Sequence, residues 1–499
     1  MFLGNLGFNP FSFLFNLMLV ILILGALGAG IAGITYLLAL KYKYRNREKA
    51  SLDTTLIQVA LPRDNEVKID AAEQLFASFA SLHKSGKPQW LVDQPAISLE
   101  IVGMPGDIRF FVSVPNKYKD FVEKQINGAY PDAEIKEVTE RTSLKEGFVV
   151  GNDYNIFGEN SKVAFAQLVL KKSNYEPIKT YKEFAVDPLS TITSVLAKMT
   201  EGEGAAIQVL ISPAESDWKK LGKDHVSHIK KEEANPETAK YSADPKELEA
   251  IESKVSKPGF NTVVRIVVAS STKETAEAHL NNIKNAYSQF SGHNSFTKAT
   301  IKRQKAFMDD FIYRYQPKRG APSVLSSEEL ATIFHFPNKS VATPHIYWVS
   351  SKRAPVAANV PTTGLFLGKS IYRGLSRDVY VERDDRRRHT YIIGKTGTGK
   401  TEFLKQMILQ DIKNGEGVGV VDPHGDLIED ILQMIPPERA EDVILFDPSD
   451  TSRPMGLNML EADTEEEKHY VVSSIVGLMY KLYDPNKTGI IGPRFEHAI

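Results

Sequence analysis

The residues whose spacing most plainly does chemistry are Gly394, Lys395, Thr396, Gly397, Thr398, Gly399, Lys400 and Thr401. They fit G-x-x-x-x-G-K-[ST] without a mismatch, the pattern of a loop that cradles phosphates. Glycines let successive backbone N–H groups turn inward toward phosphate oxygens, and a helix opening at the end of the loop adds its partial positive charge. In such a loop Lys400, the candidate catalytic cation, reaches the β- and γ-phosphates, and the Thr401 hydroxyl takes a position on Mg²⁺. The flanks agree with this reading. Residues 391–393 (YII) close an apolar run of strand type, and Phe403, Leu404, Met407, Ile408 and Ile412 recur at helical spacing after the loop.

Two further apolar runs follow, residues 417–422 (GVGVVD) and 442–447 (DVILFD), with a helical segment between them that ends before Pro436 and Pro437. Strands alternating with helices predict a parallel sheet covered on both faces, with the ligand at the carboxyl ends of its strands. Asp422 and Asp447 each end such a run, which makes either a candidate for holding Mg²⁺ through water. Neither is followed by a glutamate that would orient or deprotonate an attacking water; each is followed by proline. The nucleotide is gripped, and the water-activating half of a hydrolase is not visible. No N-K-x-D string follows the loop to read a guanine base.

The chain has 499 residues, enough for two to four domains, with 42% apolar and 25% charged side chains. Its 61 basic residues against 62 acidic ones leave a formal net charge of −1, so a nucleic-acid partner must be held by local basic patches. The absence of cysteine excludes disulfides and thiolate metal sites. No charged side chain precedes Lys41. Residues 17–40 are apolar over roughly 24 positions, enough at 1.5 Å per residue to cross a ~30 Å hydrocarbon core. A cleavable signal would show a basic start and a shorter apolar core, so a retained anchor is expected. Lys41, Lys43, Arg45, Arg47 and Lys49 follow at once, and the positive-inside rule then places the amino terminus outside and the bulk in the cytoplasm. Ala26 and Gly30, and Ala29 and Gly33, are small pairs four apart, a spacing that lets helices pack closely in lipid.

Between anchor and loop, residues 97–103 (ISLEIVG) and 108–114 (IRFFVSV) flank Met-Pro-Gly-Asp and read as a hairpin. A helix striped by Tyr118, Phe121, Val122, Ile126 and Ala129 and a strand over 133–138 follow. Residues 262–269 (TVVRIVVA) precede a helix striped by Ala276, Leu280, Ile283 and Tyr287. Both sets predict split β-α-β, ferredoxin-like units in tandem. Residues 232–259 read as an exposed, charged excursion, helical over 245–255, and the prolines of 353–362 as an extended linker. The basic runs 219–231 and 386–389 are candidates for nucleic-acid contact, although a charge run is more often a solvated face.

Together GKTGTGKT, VVDPHGDL (420–427), ILFDPSD (444–450) and GPRFEHAI (492–499) resemble the HerA/FtsK superfamily, in particular the conjugative type IV secretion coupling ATPases. ELATIFHFPN and SKRAPVAANVP resemble the connector ahead of the motor in membrane-anchored members. The resemblance implies a RecA-like motor that binds ATP and Mg²⁺, forms a homo-oligomeric ring of six subunits, moves DNA through its centre and contacts secretion-complex subunits. It also implies a magnesium-binding aspartate and a catalytic glutamate on a strand beyond the GPRFEH helix, so the chain is expected to be an incomplete reading frame or fragment. On that view Asp422 and Asp447 are strand ends, and Arg494 is a candidate arginine finger or a surface arginine.

The expected architecture is therefore α/β: a membrane anchor with basic flank over 1–49, an α+β ferredoxin-like region over 50–316, a connector over 317–370, and the first part of a P-loop motor over 371–499, its parallel sheet incomplete. Two alternatives stand beside the DNA translocase: a secretion or pilus-assembly ATPase acting on protein, and a nucleotide-binding scaffold that does not hydrolyse.

Overall fold

An uninterrupted apolar sequence makes the first element a helix, α1 (Pro10–Lys43), whose only basic residues, Lys41 and Lys43, lie in its last turn. Its 34 residues span about 51 Å. It is long and apolar enough to cross a membrane, and the rest of the chain buries none of its apolar window. The computed structural model describes the whole chain except residues 1–9, 85–93, 140–148, 151, 159, 234–243, 318–321, 350–353, 373–374, 453, 455, 457 and 499. Two units result, Met1–Pro355 and Val356–Ile499.

In the first unit a short helix α2 (Arg47–Leu52) leads into β1 (Thr54–Ala60), α3 (Ile69–Phe79), β2 (Ile97–Met104), β3 (Asp107–Pro115), α4 (Lys119–Ala129) and β4 (Glu134–Glu137). Pro105 and Gly106 join β2 to β3, and Gly106 has φ +69°, which a type II turn requires at its second central residue. After a small hairpin of β5 (Val149–Val150) and β6 (Asp153–Tyr154), the order of elements repeats as β7 (Lys162–Leu170), α5 (Leu189–Leu196), β8 (Gly204–Pro213), then α6 (Asp217–Glu233) and α7 (Pro245–Ser256), then β9 (Gly259–Ser270), α8 (Lys273–Tyr287) and β10 (Phe296–Lys298). The unit closes with α9 (Gln304–Ile312), β11 (Ser323–Ser326) and α10 (Ser327–Ile333).

Each repeat is connected β-α-β-β-α-β, the split β-α-β motif. In space the strands run β4-β1-β3-β2 and β10-β7-β9-β8, the same order twice. The repeats meet where β2 pairs antiparallel with β8, from Ile97 opposite Ile211 to Gly103 opposite Ala205. One antiparallel sheet results, with β11 added beside β9. The residues 232–259 excursion is the end of α6 together with α7, inserted between β8 and β9. It is not wholly exposed, because Trp218, Val226, Leu248, Ile251 and Val255 form a small core of their own with Val324.

Alternation along the strands sorts side chains between the two faces. On one face Ile101, Ile207 and Ile266, all fully buried, lie under α3, α4, α5, α8 and α10. Burying each contributes about 1.5–3 kcal/mol. On the other, Val102, Ala206 and Val267 meet Phe307 and Phe311 of α9. That second face also carries a buried polar row. Register sets Glu100 opposite Gln208 and Gln208 opposite Arg265. Gln208 Nε2 donates to Glu100 Oε1 (3.1 Å), and Arg265 Nη1 donates to Gln208 Oε1 (2.8 Å). Arg314, just past α9, grips Glu100 with Nε (2.8 Å) and Nη2 (3.1 Å), and Asp153 with Nη1 (2.8 Å) and Nη2 (2.9 Å). Its φ of +52° is a left-handed conformation, costly for a side chain with a Cβ and held by these bonds. Burial would raise the Glu100 carboxyl, but the charge and hydrogen bonds of Arg314 hold it below its ordinary 4.5. Burial pushes the Arg265 guanidinium down to about 10, with the attraction of Asp310 acting against that.

The boundary between the two units falls within 317–370. Residues 323–336 are buried without exception, with β11 laddered on β9 and α10 packed on α3. The first unit ends at Pro355. The second unit has an antiparallel hairpin, β12 (Leu365–Tyr372) and β13 (Leu375–Val381), followed by α11 (Lys400–Lys413), α12 (Asp426–Leu432), α13 (Glu465–Tyr483) and α14 (Pro493–Ala498). The parallel strands expected over 391–393, 417–422 and 442–447 do not form ladders: every sheet among the described residues is antiparallel. Tyr391, Ile393, Val421, Ile444 and Phe446 are exposed. The apolar pattern of a buried parallel strand is local, whereas each of its rungs is closed across a helical crossover by a partner far along the chain.

Because Glu100 titrates below its ordinary value when folded, its contribution is complete above pH 4.5 and is lost as the pH falls below that. Arg314→Met leaves the carboxylate buried and unpaired. A loss of about 3–5 kcal/mol is expected at pH 7 in urea unfolding. That deficit shrinks on acidification as Glu100 becomes neutral.

Candidate functional site

The phosphate-type loop lies between β13 and α11. Gln410 fixes the base of α11, since its Nε2 donates to the Phe366 carbonyl (2.9 Å) and its Oε1 accepts from the Phe366 N–H (3.1 Å) on β12. Arg386 grips both carboxylate oxygens of Asp411 in the same helix. The hydrogen bonds of Asp411 hold the Arg386 guanidinium above its usual value. The basic run 386–389 is thus partly committed to structure. In the other basic run, Lys230 pairs with Glu252 (2.6 Å), and Trp218 and Val226 beside it are buried.

Gly397 and Gly399 have φ of +79° and +88°, and Gly399 is the N-cap of α11 with no side chain to satisfy the first N–H groups. A Cβ on Gly394 would lie 2.5 Å from Thr398 Oγ1, so a side chain there would have to displace the hydroxyl that holds the turn. Thr398 holds the turn, its N and Oγ1 both donating to the Lys395 carbonyl (3.3 and 2.7 Å). Lys400 folds back into the loop, with Nζ donating to the carbonyls of Gly394 (2.7 Å) and Lys395 (2.9 Å). Lys395, Thr396, Gly397, Thr398, Gly399 and Thr401 are exposed. The Lys400 ammonium, the uncapped helix start and the left-handed glycines thus lie together on one exposed loop. An arriving anion would replace the two carbonyls as the partner of Lys400.

Asp422 and Asp447 are each held in a local turn. Asp422 Oδ1 accepts from the His424 N–H (3.1 Å) and Oδ2 from that of Leu427 (2.9 Å), which staples the D-P-H-G-D turn to the start of α12. The His424 N–H, then those of Leu427, Ile428 and Gly425, hold its carboxyl below the usual range against a smaller opposing effect of desolvation. Asp447 accepts from Ser449 N (2.8 Å) and Oγ (2.7 Å). Arg494 is exposed on α14, a helix of six residues. Among the described residues no hydrogen bond or ion pair links these three to the loop. Nor do three His, Asp or Glu side chains converge there as metal ligands.

Sequence periodicity passes over Asp484, which follows α13. Burial would raise its carboxyl, but the N–H groups of Thr488, Gly489 and Ile491 and the Thr488 hydroxyl hold it low. Its only signal in the sequence is the turn composition of D-P-N-K-T-G.

Residues 378–481 match the model of a type IV secretion-system coupling protein DNA-binding domain. That range runs from within β13 into α13, so it takes in the loop, Asp422 and Asp447 and stops short of Arg494. Residues 40–349, from the end of α1 through the double-repeat sheet, match the model of a domain of unknown function, DUF8128. No curated protein matches the chain.

Gly399→Ala places a Cβ in a left-handed conformation at the N-cap. It is expected to cost about 1–2 kcal/mol in the unfolding of the second unit and to weaken any phosphate ligand, read by thermal unfolding with and without nucleotide.

Proposed function

We propose, from the premise that this chain belongs to the DUF8128 family, matched over more than half of its 499 residues, that it is a membrane-anchored, ATP-binding motor subunit of the type IV secretion coupling kind. The observation that carries the proposal is that the phosphate-type loop lies inside the range that matches the coupling-protein DNA-binding domain. The amino terminus is outside, α1 crosses the membrane, and the basic flank from Lys41 to Lys49 keeps the bulk in the cytoplasm.

Lys400 leaves the Gly394 and Lys395 carbonyls for the β- and γ-phosphates of ATP, and Thr401 presents its hydroxyl to Mg²⁺. The loop belongs to a RecA-like motor of the HerA/FtsK type. What supports this reading is the strand-type composition of the apolar runs at 391–393, 417–422 and 442–447, not any pairing between them. As a ring of six copies such a motor moves DNA with ATP, and the first unit is the part offered to secretion-complex subunits. Asp422, held by backbone N–H groups of its own turn, remains the candidate for the magnesium water shell. Neither Asp422 nor Asp447 is followed by an acid placed to activate water, so this chain alone is expected to grip ATP and turn it over negligibly.

Protein solubilised with its anchor is expected to be stabilised by Mg·ATP by about 2.7 kcal/mol at a hundred times Kd. Lys400→Ala should remove that gain while leaving the unliganded transition in place. Duplex DNA affinity should fall linearly in log–log form with salt, at a slope near −0.9 per phosphate neutralised. Protection by ATP that survives Lys400→Ala, or duplex binding indifferent to salt, would overturn the reading.

A further inference from the structure

The short helix α2, which directly follows α1, is fastened to the folded body beside it. Arg47 Nη2 donates to Asp310 Oδ1 (2.8 Å) and to the Gln316 carbonyl (2.8 Å), its guanidinium lies 3.7 Å from the centre of the Tyr315 ring, and Ser51 Oγ donates to the Tyr313 carbonyl (2.5 Å). The same turn carries Arg314, so the ion network of the sheet holds this attachment in place.

Beside these contacts lies a partly open cavity of about 490 Å³ that reaches Lys43 in the last turn of α1. Among the described residues Lys43, Arg47, Lys84, Lys117 and Arg314 line it, against one carboxylate, Asp53. Asp53 Oδ1 accepts from Asn116 Nδ2 (2.8 Å), and Arg47 and Arg314 are paired with carboxylates that lie outside the lining. Lys43 and Lys117 meet aromatic faces there, those of Tyr44 and Tyr118. A larger cavity of about 760 Å³ adjoins it and shares Lys43, Tyr44, Gln94 and Gln316. Tyr36 and Leu40 of α1 and Trp218 and Leu221 of α6 give that second chamber an apolar side. A cationic chamber at the foot of a membrane-length helix, open to an apolar one on the helix itself, suits a ligand with an anionic head and a hydrocarbon tail.

We propose that the smaller cavity holds the phosphate headgroup of an anionic phospholipid drawn from the bilayer that α1 crosses. The Lys43 and Lys117 ammonium groups meet the phosphate, and the hydroxyl of Tyr118 supplies a neutral partner. This site rests on the membrane-spanning reading of α1 and is independent of the nucleotide loop.

The test uses the full chain in uncharged detergent, titrated by calorimetry with dihexanoyl-phosphatidylglycerol, dihexanoyl-phosphatidylcholine and inorganic phosphate. Phosphatidylglycerol should bind saturably at one site and at least tenfold more tightly than phosphatidylcholine. Lys117→Glu, at an exposed position, should weaken it about fivefold or more, the size expected for each cation lost from an anionic headgroup. Lys284→Glu on the distant surface of α8 should leave it unchanged. Equal binding of the two lipids, or an equal loss in Lys284→Glu, would overturn the site. Inorganic phosphate binding as tightly as phosphatidylglycerol would overturn the lipid as its source. Extraction of α1 from membranes by alkaline carbonate would separately sink the spanning reading.

Discussion

The pairing of β2 with β8 is the constraint on which the first unit depends. In a split β-α-β motif the second strand is an edge, a row of unsatisfied N–H and C=O groups. Here two such edges meet and remove each other, which turns two marginal four-stranded halves into one continuous antiparallel sheet. Register follows from the same contact. A slip of one residue would carry Glu100 and Gln208 into the apolar face beneath α3 and α5 and expose Ile101 and Ile207 to the α9 side. The polar row across Glu100, Gln208 and Arg265 therefore exists only in this register, and it penalises the alternatives.

Two late segments lock that sheet. On one face α9 and Arg314 satisfy the row. On the other, α10 lies wholly buried, a position a polar helix tolerates only when each polar group has a partner. Glu329 accepts from the Ile178 N–H (2.9 Å) and pairs with Lys254 (3.1 Å), Thr332 accepts from the Tyr181 N–H (2.9 Å), and His335 meets Asp187 (2.9 Å). All of these partners come from the second repeat or its insertion, so α10 ties α3 of the first repeat to the second by contacts that a simple apolar plug would not orient.

The same economy governs the loop of the second unit. A free ammonium beside left-handed glycines would be solvated and mobile, and instead Lys400 is held by the carbonyls of Gly394 and Lys395. On the proposed reading, a phosphate chain would offer stronger, charged acceptors and would compete with these carbonyls for the one lysine. The staple formed by Asp422 keeps the D-P-H-G-D turn rigid close by in sequence.

What the sequence determined is whatever has a local cause. The charge-free run of α1, the Pro-Gly turn between β2 and β3, the stripe of Ala276, Leu280, Ile283 and Tyr287 on α8 and the glycines of the phosphate-type loop each report on neighbours within a few residues. All four are in the structure. What only the tertiary structure decided is closed over long stretches of chain. Glu100 finds Arg314 across 214 positions, β2 chooses β8, and residues 323–336 become the lock on the sheet rather than a tether. The three apolar runs of the second unit show the same limit from the other side: their composition marks them for strands, but a strand is completed by a distant partner, and no local pattern encodes which one.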